Sequence, residues 1–145
     1  MQANRSAPIG PVIPVLTYLD VRAAVDWLVA VLGFVERVRI GPSHRAQLSF
    51  AEGSLIVADA TRERVAPTGG EVTQSVMLRV DDVAAVCKRV RENGARIEQE
   101  PRDFEYGERQ CAFTDPWGHR WTLTQTLRDV APEEWGGSTP DGSLH

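Results

Sequence analysis

The sequence predicts an α+β fold made of two tandem βαβββ modules, at residues 12–60 and 73–126. Strand-like alternation and helix-like spacing follow one another in the same order in both stretches. A second observation is an internal repeat, in which residues 14–33 match residues 75–94 after a shift of 61 positions. The identical pairs are Val15/Val76, Asp20/Asp81, Ala23/Ala84, Ala24/Ala85, Val25/Val86, Val29/Val90 and Gly33/Gly94. Duplication explains these matches; the alternative is that any two amphipathic helices with similar ends resemble one another.

The first module begins with an apolar run, Val12–Leu19, that predicts a strand. Asp20 is a typical helix N-cap, and an apolar stripe at helical spacing follows it. The stripe consists of Val21, Val25, Leu28, Val29 and Leu32. Gly33 then ends the helix. Three further strands are predicted, at residues 34–40, 45–51 and 54–59.

The second module follows a predicted linker at residues 61–72, where Pro67, Gly69 and Gly70 interrupt any regular pattern. A strand at 74–80 precedes a helix that Asp81 or Asp82 caps. The helix carries the apolar stripe Val83, Val86, Cys87 and Val90 and ends at Asn93-Gly94. The remaining strands are predicted at residues 95–99, 109–114 and 120–125, and a C-terminal tail at residues 127–145. In that tail we expect Trp135 to pack on the body of the protein or on a neighbouring subunit, and residues 138–145 to be disordered.

The last two strands should pair as a hairpin around the turn residues 115–118, Asp-Pro-Trp-Gly. The runs YGERQ at 106–110 and DPWGHRWTL at 115–123 resemble the last hairpin of the glyoxalase/bleomycin-resistance/dioxygenase superfamily, also called the vicinal oxygen chelate superfamily. The resemblance extends roughly over residues 12–135. It implies that the two modules form a curved mixed sheet around a cleft.

Strict alternation along the strands assigns side chains to two faces of the sheets. The face under the helices should carry Leu16, Leu48, Phe50, Val76, Leu78, Trp121 and Leu123. The other should carry Thr17, Gln47, Ser49, Ser75, Met77, Arg79, Thr122 and Thr124, with Val57 among these polar alternates. This second face is either solvated or, as the resemblance implies, lines a cleft. Met77 and Val57 favour the cleft, since both would be poorly placed in open water.

Three polar and aromatic residues are further candidates for binding a small molecule. Arg109, like Arg79, has a guanidinium that can hold a carboxylate or phosphate, although a salt bridge to a nearby acid is an equal alternative for Arg109. Tyr106, beside Gly107, is a candidate polar anchor. Trp117 lies in a turn, which favours a place at the rim of the site. Trp27 falls off the main helical stripe and is a candidate for contact with a partner subunit.

The resemblance also bears on metal binding. Metal-dependent members bind one divalent ion through side chains of the first, fourth, fifth and eighth strands, and these positions correspond here to Ile13, Val57, Ser75 and Thr122. None of the four supplies the imidazole or carboxylate donors that such an ion prefers. The three histidines, His44, His119 and His145, have no helical spacing and no carboxylate at a fixed offset. We therefore expect no metal centre and no cofactor.

Composition excludes other classes of function. The net charge is −4 and no basic run is present, which argues against nucleic-acid binding. Residues 1–11 lack an apolar segment, so neither a signal peptide nor a membrane anchor is expected, and residues 1–10 are predicted to be a loose leader. The two cysteines, Cys87 and Cys111, are too few for a disulfide scaffold. A cytoplasmic location is the default expectation.

Three hypotheses about function remain. The first is a metal-free protein that binds a small molecule and sequesters an antibiotic or another hydrophobic or aromatic ligand, as the bleomycin-resistance branch does. The second is an enzyme of the same fold, a glyoxalase-like lyase or isomerase or a dioxygenase. The third is a housekeeping protein without a strong ligand. The resemblance further implies a homodimer.

Overall fold

The structure is a computed structural model that describes residues 2–140. It divides into two compact units, the first made of residues 2–73 with 116–119 and the second of residues 74–115 with 120–140. The elements follow in the order β1 (Val15–Tyr18), α1 (Val21–Trp27, continued by a π-helical turn at Leu28–Leu32), β2 (Val35–Ile40), β3 (Arg45–Phe50), β4 (Gly53–Asp59), β5 (Val76–Arg79), α2 (Val83–Glu92), β6 (Arg96–Asp103), β7 (Glu108–Thr114), β8 (Arg120–Thr126) and a 3-10 turn (Pro132–Trp135).

Unit 1 is a four-stranded mixed sheet with helix α1 on one face. Its strand order is β1-β4-β3-β2, and β1 is parallel to β4 while the other pairs are antiparallel. Helix α1 begins where predicted, because the Asp20 carboxylate accepts a hydrogen bond from the amide of Ala23 at 3.0 Å. The core between helix and sheet contains the fully or almost fully buried side chains of Leu16, Val21, Val25, Leu28, Leu48, Leu55 and Val57.

Unit 2 repeats this arrangement with helix α2. Its strand order is β5-β8-β7-β6, again with a parallel pair, β5 and β8, at one edge. Asp82, and not Asp81, is the N-cap, with its carboxylate 3.1 Å from the amide of Ala85. The side chains of Trp121 and Leu123 are fully buried. Two units with the same element order and strand order confirm the predicted α+β fold of tandem βαβββ modules.

Two strand ends differ from the prediction by three residues or more. Strand β1 begins at Val15 and not at Val12. Strand β6 extends to Asp103 although the sequence predicts an end at Gln99. Register shifts on both sides of Gln99 explain the longer strand, since the irregular pairing lets the chain continue through Pro101 beside β7.

The leader is anchored where the sequence predicts a loose segment. The side-chain amide of Gln47 donates a hydrogen bond to the carbonyl of Ser6 at 2.9 Å, and the hydroxyl of Ser54 donates one to the carbonyl of Ile9 at 2.7 Å. Gln47 lies on β3 and Ser54 on β4, so the leader lies against the sheet of its own unit. The disorder expected for residues 138–145 falls largely outside the described residues.

Between residues 2 and 140, no helix combines the length and the apolar character that crossing a membrane would require.

Candidate ligand-binding site

The face of the second sheet that points away from α2 is the candidate site. Strand pairing places Met77 beside Thr122, and Arg79 and Gln110 on either side of Thr124. These positions alternate with Leu78, Trp121 and Leu123, which are buried under α2. We name this surface the Glu108 face; its members are Met77, Arg79, Glu108, Gln110, Thr122 and Thr124. It combines polar groups with an apolar side chain, Met77, that is 59% exposed.

A continuous chain of hydrogen bonds crosses the Glu108 face. The guanidinium of Arg79 donates to the Glu108 carboxylate at 2.9 Å, and the hydroxyl of Thr124 donates to the same carboxylate oxygen at 2.7 Å. Thr124 in turn accepts a bond from the amide of Gln110 at 3.1 Å, and Gln110 accepts one from the Tyr106 hydroxyl at 2.9 Å. Each group therefore orients the next, which preorganises the face without any bound molecule.

The Glu108 carboxylate is the charged centre of this chain. Burial alone would raise its pKa, but hydrogen bonds from Thr124, Thr126 and Arg79, together with the positive charge of Arg79, outweigh burial and hold the pKa below its ordinary value. The side chain is only 14% exposed, whereas that of Arg79 is 65% exposed. Glu108 is thus ionised at neutral pH and satisfied, while Arg79 still presents part of its guanidinium to solvent.

Aromatic side chains border the Glu108 face beyond Tyr106. The rings of Phe104 and Tyr106 stack with centroids 5.2 Å apart, and Trp135 lies 5.2 Å from Tyr106 at an angle of 55°. The guanidinium carbon of Arg102 lies 4.4 Å from the centre of the Phe104 ring. We call Phe104, Tyr106 and Trp135 the aromatic edge. Trp135 thus packs on the body of its own unit, which is one of the two predicted alternatives. It is 40% exposed and so still offers ring surface.

Gly107 holds the C-terminal tail against this edge. Its carbonyl accepts a hydrogen bond from the amide of Leu127 at 2.8 Å. A Cβ at this position would lie 2.4 Å from the carbonyl oxygen of Arg128, and its φ of +87° is one that side chains rarely adopt. Only glycine permits this close approach, which brings the tail and Trp135 to Tyr106.

Four of the predicted ligand-binding residues are brought together here: Met77, Arg79 and Thr122 on the Glu108 face and Tyr106 beside it. Ser75 is exposed just before β5. Arg109 lies on the opposite side of β7 from Glu108 and binds the carboxylate of Asp103 at 2.6 Å. Arg109 therefore forms a salt bridge, which was one of the two alternatives predicted for it.

Sequence reasoning missed Glu108, Gln110, Phe104 and the place of Trp135 at the site. Alternation along β7 carries the relevant signal, since Arg109 on one face requires Glu108 and Gln110 on the other. The aromatic edge had no comparable signal, because the register shifts in β6 and the close approach at Gly107 are not visible in a periodic pattern.

The other predicted site residues lie in unit 1. Thr17 and Gln47 are on the sheet face away from α1, and both are buried. Val57 does not join them: it pairs with Leu16 and Ala46 and is fully buried on the helix side, which corrects its predicted position among the polar alternates. The ring of Trp117 packs edge-on against Tyr18 at 5.7 Å and Trp27 at 6.1 Å.

The residues present do not fit a divalent ion at the positions that the resemblance implies. Val57 is an apolar core residue, Ile13 precedes β1, and Ser75 and Thr122 offer only hydroxyls. Between residues 2 and 140, no group of three or more His, Cys, Asp or Glu side chains is placed to hold a metal ion.

The tandem βαβββ fold and the family model that matches the sequence define the class of this protein. The chain belongs to the Glyoxalase/Bleomycin resistance protein/Dioxygenase superfamily, whose family model matches residues 12–123.

Among solved structures, TioX from Micromonospora sp. ML1 is 33% identical, with 81% of this chain and 99% of that chain covered and a TM-score of 0.64. TnmS3, an antibiotic binding protein from Streptomyces sp. CB03234, is 28% identical, with 81% of this chain and 97% of that chain covered and a TM-score of 0.64. The uncharacterized protein Rv0887c of Mycobacterium tuberculosis is 29% identical over 83% of this chain and 77% of its own length.

Proposed function

We propose that this protein binds a small hydrophobic or aromatic molecule on the Glu108 face, beside the aromatic edge and without a metal ion. The observation that carries the proposal is the exposed side chain of Met77 on the same sheet face as a preorganised polar chain, which ends at Tyr106 of the aromatic edge. Apolar and aromatic surface supplies affinity for such ligands, and a few fixed polar groups supply orientation. The similarity to TnmS3, which is an antibiotic binding protein, supports an antibiotic as the ligand.

Each part of the site has a role in this proposal. Trp135, which is 40% exposed, offers ring surface for stacking, an interaction worth about 0.5–1.5 kcal/mol per aromatic pair beyond the area that is buried. The Tyr106 ring, 5.2 Å away, supports the Trp135 ring. Met77 provides a polarisable contact for an aromatic ligand. The exposed part of the Arg79 guanidinium is available to an acceptor group on the ligand, since Glu108 holds the rest of this side chain in place.

The arrangement at Glu108 favours binding over the enzymatic alternative, a lyase, isomerase or dioxygenase. A general base works best with a pKa near the operating pH. Three hydrogen bonds and the charge of Arg79 instead lower the pKa of Glu108, so this carboxylate is suited to orienting its neighbours and poorly suited to taking a proton. Mass spectrometry of ligand recovered after binding tests this point: unchanged ligand supports binding, and conversion would show an enzyme.

The binding experiment is calorimetric titration of the purified protein with a panel of aromatic antibiotics and other cationic or aromatic natural products. We expect at least one saturable ligand, and at least tenfold weaker binding of that ligand by Met77→Asp. Val65→Asp is the matched control, because Val65 is also an exposed apolar residue, at 76%, but lies in unit 1. Silence across the panel, or equal weakening by Val65→Asp, would contradict the proposal.

We further propose that the protein is a homodimer and that it is cytoplasmic. Val12, Val15 and Leu19 support the dimer, since they leave apolar side chains 42–81% exposed along and beside the edge strand β1. The two free cysteines agree with a reducing compartment. Light scattering coupled to size-exclusion chromatography tests the dimer, and a monomeric mass at micromolar concentration would refute it.

A further inference from the structure

A small pocket lies in unit 1, between the leader and the sheet. Its lining includes Arg5 from the leader, Arg37 and Val38 from β2, and Gln47 and Ser54 from β3 and β4. Its volume is about 40 Å³. A pocket for a drug-sized molecule has roughly 300–1,000 Å³, so this one has room for a single small group.

The leader wall of the pocket is held at defined points. The side chains of Gln47 and Ser54 donate hydrogen bonds to the carbonyls of Ser6 and Ile9. A turn beginning at Asn4 encloses Arg5, because the Asn4 side chain accepts a bond from the amide of Ser6 at 3.0 Å and its carbonyl accepts one from Ala7 at 3.2 Å. The position of Arg5 over the sheet is therefore set by its neighbours on both sides.

A bulge shapes the sheet wall. Glu36 pairs with Leu48, but the next pair is Val38 with Gln47, so Arg37 is an extra residue in β2. In a regular strand Arg37 and Val38 would point to opposite faces, whereas both line this pocket. Bulges redirect side chains in this way, and here the extra residue is an arginine.

The two arginines are unusual among their neighbours. Within residues 2–140, neither the Arg5 nor the Arg37 side chain has a hydrogen bond or an ion pair. By contrast, Arg39, two residues further along β2, binds the Glu36 carboxylate at 2.8 Å. Two arginines thus line one small pocket whose lining contains no acid, although the whole chain carries a net charge of −4. A guanidinium pair of this kind is complementary to an oxyanion.

We propose that this pocket binds a small oxyanion group, a phosphate or a carboxylate, through Arg5 and Arg37. An anion held by both side chains connects the leader to β2 and so fastens the leader to the sheet. The site is distinct from the Glu108 face, which is made of residues of unit 2.

Limited trypsin digestion of the full chain tests this proposal, because Arg5 is itself a trypsin site. The digestion is run with inorganic phosphate or with acetate from zero to about 50 mM, with ionic strength held constant by sodium chloride, and the products are identified by mass. We expect one of the two anions to slow cleavage after Arg5 at least fivefold and in a saturable way. Cleavage after Arg62, in the linker outside the pocket, should keep its rate and reports on trypsin itself.

Arg37→Gln should abolish this protection without lowering the melting temperature. The matched control is Arg39→Gln, since Arg39 lies on the same strand and is likewise exposed but pairs with Glu36. Arg39→Gln should keep the protection. Calorimetric titration of the wild-type chain with the protecting anion should show one site per chain. Protection that survives in Arg37→Gln, protection lost equally in Arg39→Gln, or an effect no greater than that of chloride would overturn the proposal.

Discussion

The substitution Gly107→Ala should destabilise the protein by about 2–5 kcal/mol. A left-handed backbone costs an L-residue about 1–2 kcal/mol. The added methyl would lie 2.4 Å from the carbonyl oxygen of Arg128 and 2.9 Å from a methyl of Val130, so the tail must move. Overpacking of this kind adds about 1–3 kcal/mol. For a domain of this size the sum corresponds to a melting temperature lower by roughly 10 °C.

Gly69→Ala is the matched control for this prediction. Gly69 has a φ of +70° but no atom within 4 Å of an added Cβ, so its substitution carries the backbone cost and not the steric one. Thermal denaturation followed by circular dichroism compares the two variants. Because displacement of the tail uncovers Trp135, acrylamide should also quench tryptophan fluorescence more strongly in Gly107→Ala. Equal melting temperatures for the two variants would refute the steric argument.

Three further predictions concern single side chains. The ionised Glu108 increases the free energy of unfolding at pH values above its ordinary pKa of 4.5. This contribution is lost as the pH falls through the lower pKa of the folded state. The melting temperature of Glu108→Gln should therefore fall less between pH 5 and pH 3 than that of the wild-type protein. Asp82→Ala should cost about 1 kcal/mol in urea denaturation, because it removes the helix cap, whereas Asp81→Ala should cost much less. Burial raises the pKa of Cys111 to about 12, so iodoacetamide at pH 8 should label this thiol only after the protein is unfolded; rapid labelling of the native protein would contradict this.

The element order and the two modules could be predicted because their signals are local. Asp20 and Gly33 mark the ends of the first helix, and the fully buried Trp121 and Leu123 appear as an alternating pair in the sequence. The fold class therefore follows from periodicity and caps, and the repeat of this pattern predicts the duplication.

The site was predicted less completely because it depends on register and on contacts between distant residues. Alternation along β4 places Val57 with Leu55 on the buried side, and the prediction that set Val57 among the polar alternates of the open face was wrong. The bulge at Arg37 and the hydrogen bonds of Gln47 and Ser54 to the leader join residues far apart in the chain, and no periodic pattern encodes them.

The hydrogen bonds between the sheet and the leader make the number of residues in the leader matter more than the identity of their side chains. Gln47 and Ser54 donate hydrogen bonds to the main-chain oxygens of residues 6 and 9. Almost any side chain is therefore tolerated at those two positions. Inserting or removing a single residue between them would instead pull one oxygen out of reach, and Arg5 would swing away with it.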